Sequence, residues 1–273
     1  MKPPFPYFGG KTRLAERIVE RFPEHLHYVE PFFGAGSILL AKPISATETV
    51  NDIDGDVVCF FQILRDRPDE LERVCALTPH SRAEYETSKS RDQVDELERA
   101  RRVFVHLTQS RASTLRPTGW HHRLDSHRGD AARSRPRYLH TLTDRFAGIA
   151  ERLLNVTFEC RDGIDVIRDY GRRPDVLLYV DPPYLHTSRS ARGGSGGYAH
   201  EFGRADQHAE LLDALAECTA AVIVSGYDSA LYRDRLATWE RTSLIALDGA
   251  GQKRQEVIWQ NRPAHPALFE VTA

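Results

Sequence analysis

The residues best suited to chemistry in this 273-residue chain are Asp181-Pro182-Pro183-Tyr184, which follow the apolar run Val176-Leu177-Leu178-Tyr179-Val180. A partly β-branched apolar run that stops at an acid and two prolines predicts a buried strand ending in a rigid loop. Each proline fixes a backbone angle and removes an N–H donor. The loop therefore offers a carboxylate, a free backbone carbonyl and an aromatic face. An exocyclic amine on a planar base requires those groups: two acceptors for its hydrogens and a surface to stack on. The tetrapeptide alone is equally compatible with a plain turn at a strand end.

A second cluster, Phe33-Gly34-Ala35-Gly36, follows the short predicted strand Tyr28-Val29-Glu30 and precedes Ile38–Ala41, read as the start of a helix. Gly34 and Gly36 would let the backbone turn tightly and pass close to a ligand. Asp52 closes the next predicted strand, Thr49–Asp52, 16 residues after Gly36. A carboxylate there can accept both ribose hydroxyl hydrogens of an adenosine. A dinucleotide site would prefer a third glycine at position 39, where Leu39 stands. S-adenosylmethionine has no pyrophosphate and needs no such glycine. A Gly-x-Gly turn without any ligand is the alternative.

These clusters need strand ends to hold them. Further strands are predicted at Val156–Cys160, Ala221–Ser225 and Val257–Trp259. Helices are predicted over 13–21, Val57–Leu64, from Pro68, over 91–108, over 138–153 and over Gln207–Cys218. Strands alternating with helices indicate an α/β fold with a largely parallel sheet, in which ligands bind at the carboxyl ends of the strands. Residues 185–204, centred on Gly193–Gly197, read as a long glycine-rich loop.

Composition sets limits. A chain with 41% hydrophobic and 28% charged residues has the makeup of an ordinary globular protein. It contains no apolar run of the roughly 20 residues a membrane helix needs. Met1–Pro6 has no long apolar stretch behind its lysine, so no secretion signal is expected. The scattered Cys59, Cys75, Cys160 and Cys218 form no Cys-x-x-Cys pair, so neither a disulfide framework nor a cysteine zinc site is expected. A cytoplasmic, reducing compartment and no metal are the corresponding readings.

The net charge of −2 says nothing about nucleic acid, but its distribution does. Between Gln109 and Arg145 there are eight arginines against three aspartates, with His121, His122, His127 and His140 alongside. A local basic patch is the footprint of a polyanion site, although a solvated surface has the same composition. Arg111, Arg116, Trp120 and Arg123 are the candidates in this stretch for contacting such a polyanion, and Arg189 and Arg192 of the glycine-rich loop for contacting phosphate.

The ordered motifs resemble the Dam-like DNA adenine-N6 methyltransferases. Tyr7-Phe8-Gly9-Gly10-Lys11 is similar to the family's N-terminal aromatic-x-Gly-Gly-Lys motif, Glu30–Ser37 to its cofactor loop, and Asn51-Asp52-Ile53-Asp54 to its ribose motif. Phe158–Asp162 is similar to the next strand-end motif, Asp181–Tyr184 to the catalytic motif, and Gln207–Leu211 and Val222–Ser225 to later elements. The resemblance implies a Rossmann-like class I methyltransferase sheet with helices on both faces. Residues 1–58 and 154–273 would form the S-adenosylmethionine domain, and 59–153 an inserted helical or hairpin target-recognition domain acting on double-stranded DNA.

It further implies that Asp181, Pro182 and Tyr184 are catalytic. Tyr7, Lys11, Glu30, Phe33, Gly34, Ala35, Gly36, Asp52, Ile53, Asp162 and Asp181 would bind cofactor. Read without the family, Lys11 could be a surface lysine, Asp162 a strand-end cap and Phe33 a core residue. The segment Leu107–Ser113 lacks the family's usual Asn-Arg pair and Gly-aromatic-Asn turn, so the target sequence is not carried over. Cytosine N4, an RNA base, a protein glutamine and a catalytically inactive DNA-binding role are the alternatives. Action as a monomer is expected, and any partner nuclease stays open.

Overall fold

The computed structural model describes residues 1–116, 118–121, 135–184, 204–247 and 253–262. In chain order these form α1 (Ala15–Val19), β1 (His27–Glu30), β2 (Thr47–Asn51), α2 (Gly55–Asp66), α3 (Pro68–Leu77), α4 (Arg82–Thr87), α5 (Glu96–Gln109), α6 (Arg135–Thr143) and α7 (Phe146–Leu153). Then follow β3 (Val156–Glu159), α8 (Gly163–Tyr170), β4 (Val176–Val180), α9 (Ala205–Ala216), β5 (Ala221–Gly226), α10 (Ala230–Arg235), β6 (Glu240–Leu247) and β7 (Lys253–Gln260).

Among the described residues the strands form one sheet in the order β3-β2-β1-β4-β5-β7-β6. β1 pairs in parallel with both β2 and β4, while β7 runs antiparallel between β5 and β6. The strand order reverses between β1 and β4, which opens a crevice at their carboxyl ends.

Strand alternation divides the core into two layers. Tyr28, Leu177, Tyr179 and Ile223 face one side and pack with Phe60, Phe61, Phe104 and Phe146 from α2, α5 and α7. Val29, Leu178, Val180 and Val224 face the other and pack with Ile164, Leu211 and Tyr232 from α8, α9 and α10. The sheet is thus covered by helices on both faces, as the family resemblance implied. α2 runs unbroken across positions 58 and 59, and its Phe60, Phe61 and Leu64 belong to the same core as β1 and β4.

Three differences from the sequence reading have local causes. Ile38–Ala41 forms turns rather than the start of a helix: the Leu40 and Lys42 amides donate back to Gly36 and Ile38, but Pro43 follows at once and disfavours helical backbone before it. The charged helix begins at Glu96, capped by the Asp95 carboxylate accepting the Glu98 amide at 3.0 Å, not at residue 91. The short α4, α8 and α10 and strand β6 carried too little periodicity to be read.

One buried charge cluster ties β2 to its surroundings. Glu48 accepts from Lys42 at 2.5 Å and from both terminal nitrogens of Arg152 at 2.5 and 2.8 Å. Burial pushes its carboxyl pKa up, but the hydrogen bonds from Arg152 and Lys42 outweigh this and hold it below the usual value. Removing one member leaves buried charge without compensation. Glu48→Ala should therefore destabilise the protein by about 3–5 kcal/mol, read as a lower urea midpoint with an unchanged slope.

Candidate active site

The crevice at the reversal point collects the acids that the sequence placed at strand ends. Glu30 is the last residue of β1, Asp52 follows the last residue of β2, and Asp181 follows the last residue of β4. They border an open cleft of about 670 Å³, whose walls include Tyr7, Lys11, Glu30, Phe33, Gly34, Ala35, Asp52, Ile53, Tyr179, Asp181 and Pro183. Nine of the eleven residues expected to bind cofactor line it: Tyr7, Lys11, Glu30, Phe33, Gly34, Ala35, Asp52, Ile53 and Asp181.

The other two, Gly36 and Asp162, do not line it. Gly36 shapes the loop after β1: its φ is +70°, and a Cβ there would come within 2.6 Å of the Phe33 ring. Gly34, at φ +53°, lies where a Cβ would come within 3.1 Å of the Tyr7 ring. Asp162 caps α8, its carboxylate accepting the Ile164 amide at 2.7 Å, and is not among the cleft-lining residues.

Asp52 fixes the loop to the neighbouring strand. One carboxylate oxygen accepts the Gly34 amide at 2.8 Å and the other the Asp54 amide at 2.9 Å. This bridge sets the spacing between the glycine loop after β1 and the turn after β2.

Lys11 organises the opposite wall. Its side chain is 5% exposed, and its ammonium lies 2.8 Å from each carboxylate oxygen of Asp181. It also donates to the Gly9 carbonyl at 3.0 Å and to the Tyr184 hydroxyl. Tyr184 in turn donates to Glu256 of β7, whose oxygens are 3.0 and 3.2 Å away, and its ring lies 4.2 Å from that of Tyr227. Ser225 donates to the same Glu256 at 2.8 Å. Sequence reading missed Glu256, because one acid in a strand late in the chain has no local signal.

Burial sets the charge of these acids. Asp181 is pushed up to about 6 by burial, with Lys11 opposing and Glu256 adding to the rise. It is mainly ionised at neutral pH and keeps a 17% exposed side chain at the cleft. Burial alone would lower the Lys11 pKa, but Asp181 and Glu256 raise it above the usual lysine value. Glu30 is pushed up to about 8, chiefly by burial, against the hydrogen bond it accepts from Tyr28 at 2.8 Å.

The basic segment after α5 is closed into a small loop by an antiparallel bridge between Ser110 and Trp120. Gln109 anchors it: its side chain donates to the Pro79 carbonyl at 3.0 Å and accepts the Ser81 amide at 3.0 Å, and its carbonyl accepts the His121 amide at 2.7 Å. Trp120 is half-buried, its ring stacked on His80 at 4.9 Å with the Arg82 guanidinium 4.9 Å away. Arg111 is exposed and Arg116 half-buried. Arg123, Arg189 and Arg192, and the glycine-rich loop from 185 to 203, lie outside the described residues. The Phe8 amide donates to the Ser113 carbonyl at 2.9 Å, which joins this segment to the loop that carries Lys11. Among the described residues no group of three His, Cys, Asp or Glu side chains could hold a metal ion, and no helix is long and apolar enough to cross a membrane.

A doubly wound sheet with a cleft at its switch point has the ligand-binding layout of an open α/β protein, and here an acid followed by a Pro-Pro-aromatic loop borders that cleft. Comparison with known proteins makes the class specific. The chain belongs to the D12 class N6 adenine-specific DNA methyltransferases, whose family model matches residues 7–247. It is 27% identical over 274 residues to a DNA adenine methylase of Vibrio cholerae, with 92% of each chain covered. It is 27% identical over 239 residues to one of Escherichia coli K12, covering 83% of this chain and 81% of that one. Solved structures align loosely: the rRNA methyltransferase aviRa of Streptomyces viridochromogenes covers 95% of this chain and 88% of its own at 15% identity and a TM-score of 0.36. The reaction is methyl transfer to adenine N6 in DNA, with S-adenosylmethionine as the methyl donor.

Glu30 generates a test of the site's electrostatics. Its folded pKa of about 8 lies above the ordinary 4.5, so the folded state binds more protons than the unfolded state between those values. Stability must then fall as pH rises through that window. Glu30→Gln removes this term. Between about pH 5 and about pH 9 the wild type should lose stability relative to the variant in urea unfolding.

Proposed function

We propose that the cleft holds S-adenosylmethionine beside a flipped-out adenine and that Asp181, Pro182 and Tyr184 act on that base. The observation that carries this reading is Asp181: an ionised carboxylate, held by a buried lysine, at the edge of the cleft and at the start of a rigid loop.

The residues present fit the donor. Asp52 accepts hydroxyl hydrogens of a ribose, the apolar Phe33 and Ile53 suit an adenine ring, and the bent Gly34–Gly36 backbone allows close approach. The ionised Asp181 complements a cationic sulfonium, and the mostly protonated Glu30 lies beside it as a hydrogen-bonding group. When bound, S-adenosylmethionine supplies an electrophilic methyl group; the chain supplies orientation and charge. The N6 nitrogen is conjugated with its ring and is a poor nucleophile. Asp181 and the Pro182 carbonyl accept its two N–H hydrogens, turn its emerging lone pair toward the cleft and stabilise the positive charge that develops on it as the N–CH3 bond forms and the donor's S–CH3 bond breaks; one N6 proton then leaves through the Asp181 carboxylate to solvent. Lys11 keeps Asp181 ionised and oriented. Tyr184 gives the base an aromatic surface.

Adenine N6 is inaccessible inside a duplex, so a double-stranded substrate requires base flipping at a cost of roughly a few kcal/mol. Stacking on Tyr184 and the two hydrogen bonds offset it. Within 59–153, the basic stretch after α5 provides target recognition, with Arg111, Arg116, Trp120 and Arg123 as its DNA-contacting residues and Arg189 and Arg192 as phosphate contacts. Trp120 serves by holding the 110–120 loop against His80 and Arg82, which its packing supports. The protein acts as a monomer on cytoplasmic DNA.

Incubation with labelled S-adenosylmethionine and duplex DNA, followed by digestion to nucleosides, should place the label in N6-methyladenosine; label in N4-methylcytosine would move the site to the other amine. Asp181→Ala should lower the rate by at least about a hundredfold while calorimetry still detects cofactor binding. An undiminished rate would remove Asp181 from the chemistry.

A further inference from the structure

Glu256 is buried on β7, 72 residues after Tyr184 in sequence, yet it meets the site from below. Its carboxylate accepts the Ser225 hydroxyl at 2.8 Å and the Tyr184 hydroxyl at 3.0 and 3.2 Å, and lies 3.8 Å from the Lys11 ammonium. A carboxylate that only fastened β7 to β5 would need Ser225 alone. The two remaining contacts reach Tyr184 on the loop that follows β4 and Lys11 on the N-terminal loop.

We propose that Glu256 is a positioning residue for methyl transfer, which holds the Tyr184 ring and the Lys11 ammonium in the geometry that Asp181 requires; this rests on the site reading above. The hydrogen-bond direction supports it. Lys11 donates to the Tyr184 hydroxyl, whose one hydrogen is thereby committed to Glu256. The ring is then fixed at its hydroxyl end by this chain and along its side by Tyr227. A base stacked on Tyr184 finds a surface that does not rotate away.

The same carboxylate competes with Asp181 for Lys11. Lys11 faces Asp181 from the N-terminal loop, Glu256 from β7, Glu30 from β1, Tyr179 from β4 and Tyr232 from α10; Tyr227 also acts on Lys11. Glu256→Gln removes one of the two anions that share the ammonium and leaves an oxygen to accept from Tyr184 and Ser225. Asp181 then ionises more easily.

The test is the pH profile of kcat/KM for DNA methylation, measured on the whole protein. In the wild type the acid limb should reflect Asp181, near about pH 6. In Glu256→Gln the limb should move to lower pH by about half a unit or more. Glu256→Asp keeps the charge but cannot span the same distance. Its limb should stay near the wild-type position while kcat falls about tenfold or more, with KM for S-adenosylmethionine unchanged. An unshifted limb in Glu256→Gln, or wild-type kcat in Glu256→Asp, would overturn the positioning role; if the first variant does not fold, the second decides alone. An Asp181→Ala variant as active as wild type would overturn the site reading together with this inference, whereas an inactive Asp181→Ala beside an unshifted Glu256→Gln overturns this inference only.

Discussion

A buried ammonium ion has to be neutralised where it sits, and Lys11 is such an ion. Desolvating a lysine is unfavourable unless anions and hydrogen-bond acceptors replace its water. Asp181, Glu256, the Gly9 carbonyl and the Tyr184 hydroxyl do so. The requirement is mutual. Asp181 is itself buried enough to resist ionisation, and without Lys11 beside Glu256 and Glu30 it would be the third acid in an apolar crevice. The N-terminal loop, the end of β4 and the antiparallel strand β7 are joined at this one charge. That is why a residue so near the chain start sits 170 positions from its partner in sequence and 2.8 Å from it in space.

The opposite wall depends on neutral geometry. Asp52 holds the glycine loop through backbone amides of Gly34 and Asp54, and the two glycines take positive φ angles where aromatic rings press against the loop. Side chains at positions 34 and 36 would have to displace Tyr7 and Phe33, both of which line the cleft. The shape of the cleft therefore follows from two missing Cβ atoms and one acid, whereas its negative charge follows from Asp181. The donor's positive charge and its diol meet different walls for that reason.

Between the basic segment and the catalytic wall there is direct backbone contact. Ser113 accepts the Phe8 amide, and Phe8 lies three residues before Lys11. The segment is itself pinned by Gln109, whose side chain holds Pro79 and Ser81 and whose carbonyl holds His121, two other stretches of chain. Composition marked this region by its arginines. The residues that give it a fixed shape are instead Gln109, Trp120, His80 and Tyr85, whose hydroxyl accepts the Gly119 amide at 3.1 Å.

The strands at Tyr28–Glu30, Val156–Cys160 and Val176–Val180 and the acids that end them were legible because each is a local pattern: an apolar run, then an acid, then glycine or proline. Family order added Lys11 and the function. The short helices α4, α8 and α10 and strand β6 escaped because a turn or two of helix, or an edge strand with exposed residues, has little periodicity to detect. By itself the sequence determined the strands other than β6, that acids stand at the carboxyl ends of three of them, and that one loop is stiffened by two prolines. Only the tertiary structure decided which acids share a cleft, that Lys11 rather than solvent faces Asp181, and that Glu256 closes the network. Those are contacts across neighbouring strands, where pairing and register, rather than any nearby run of residues, bring distant side chains within hydrogen-bonding reach.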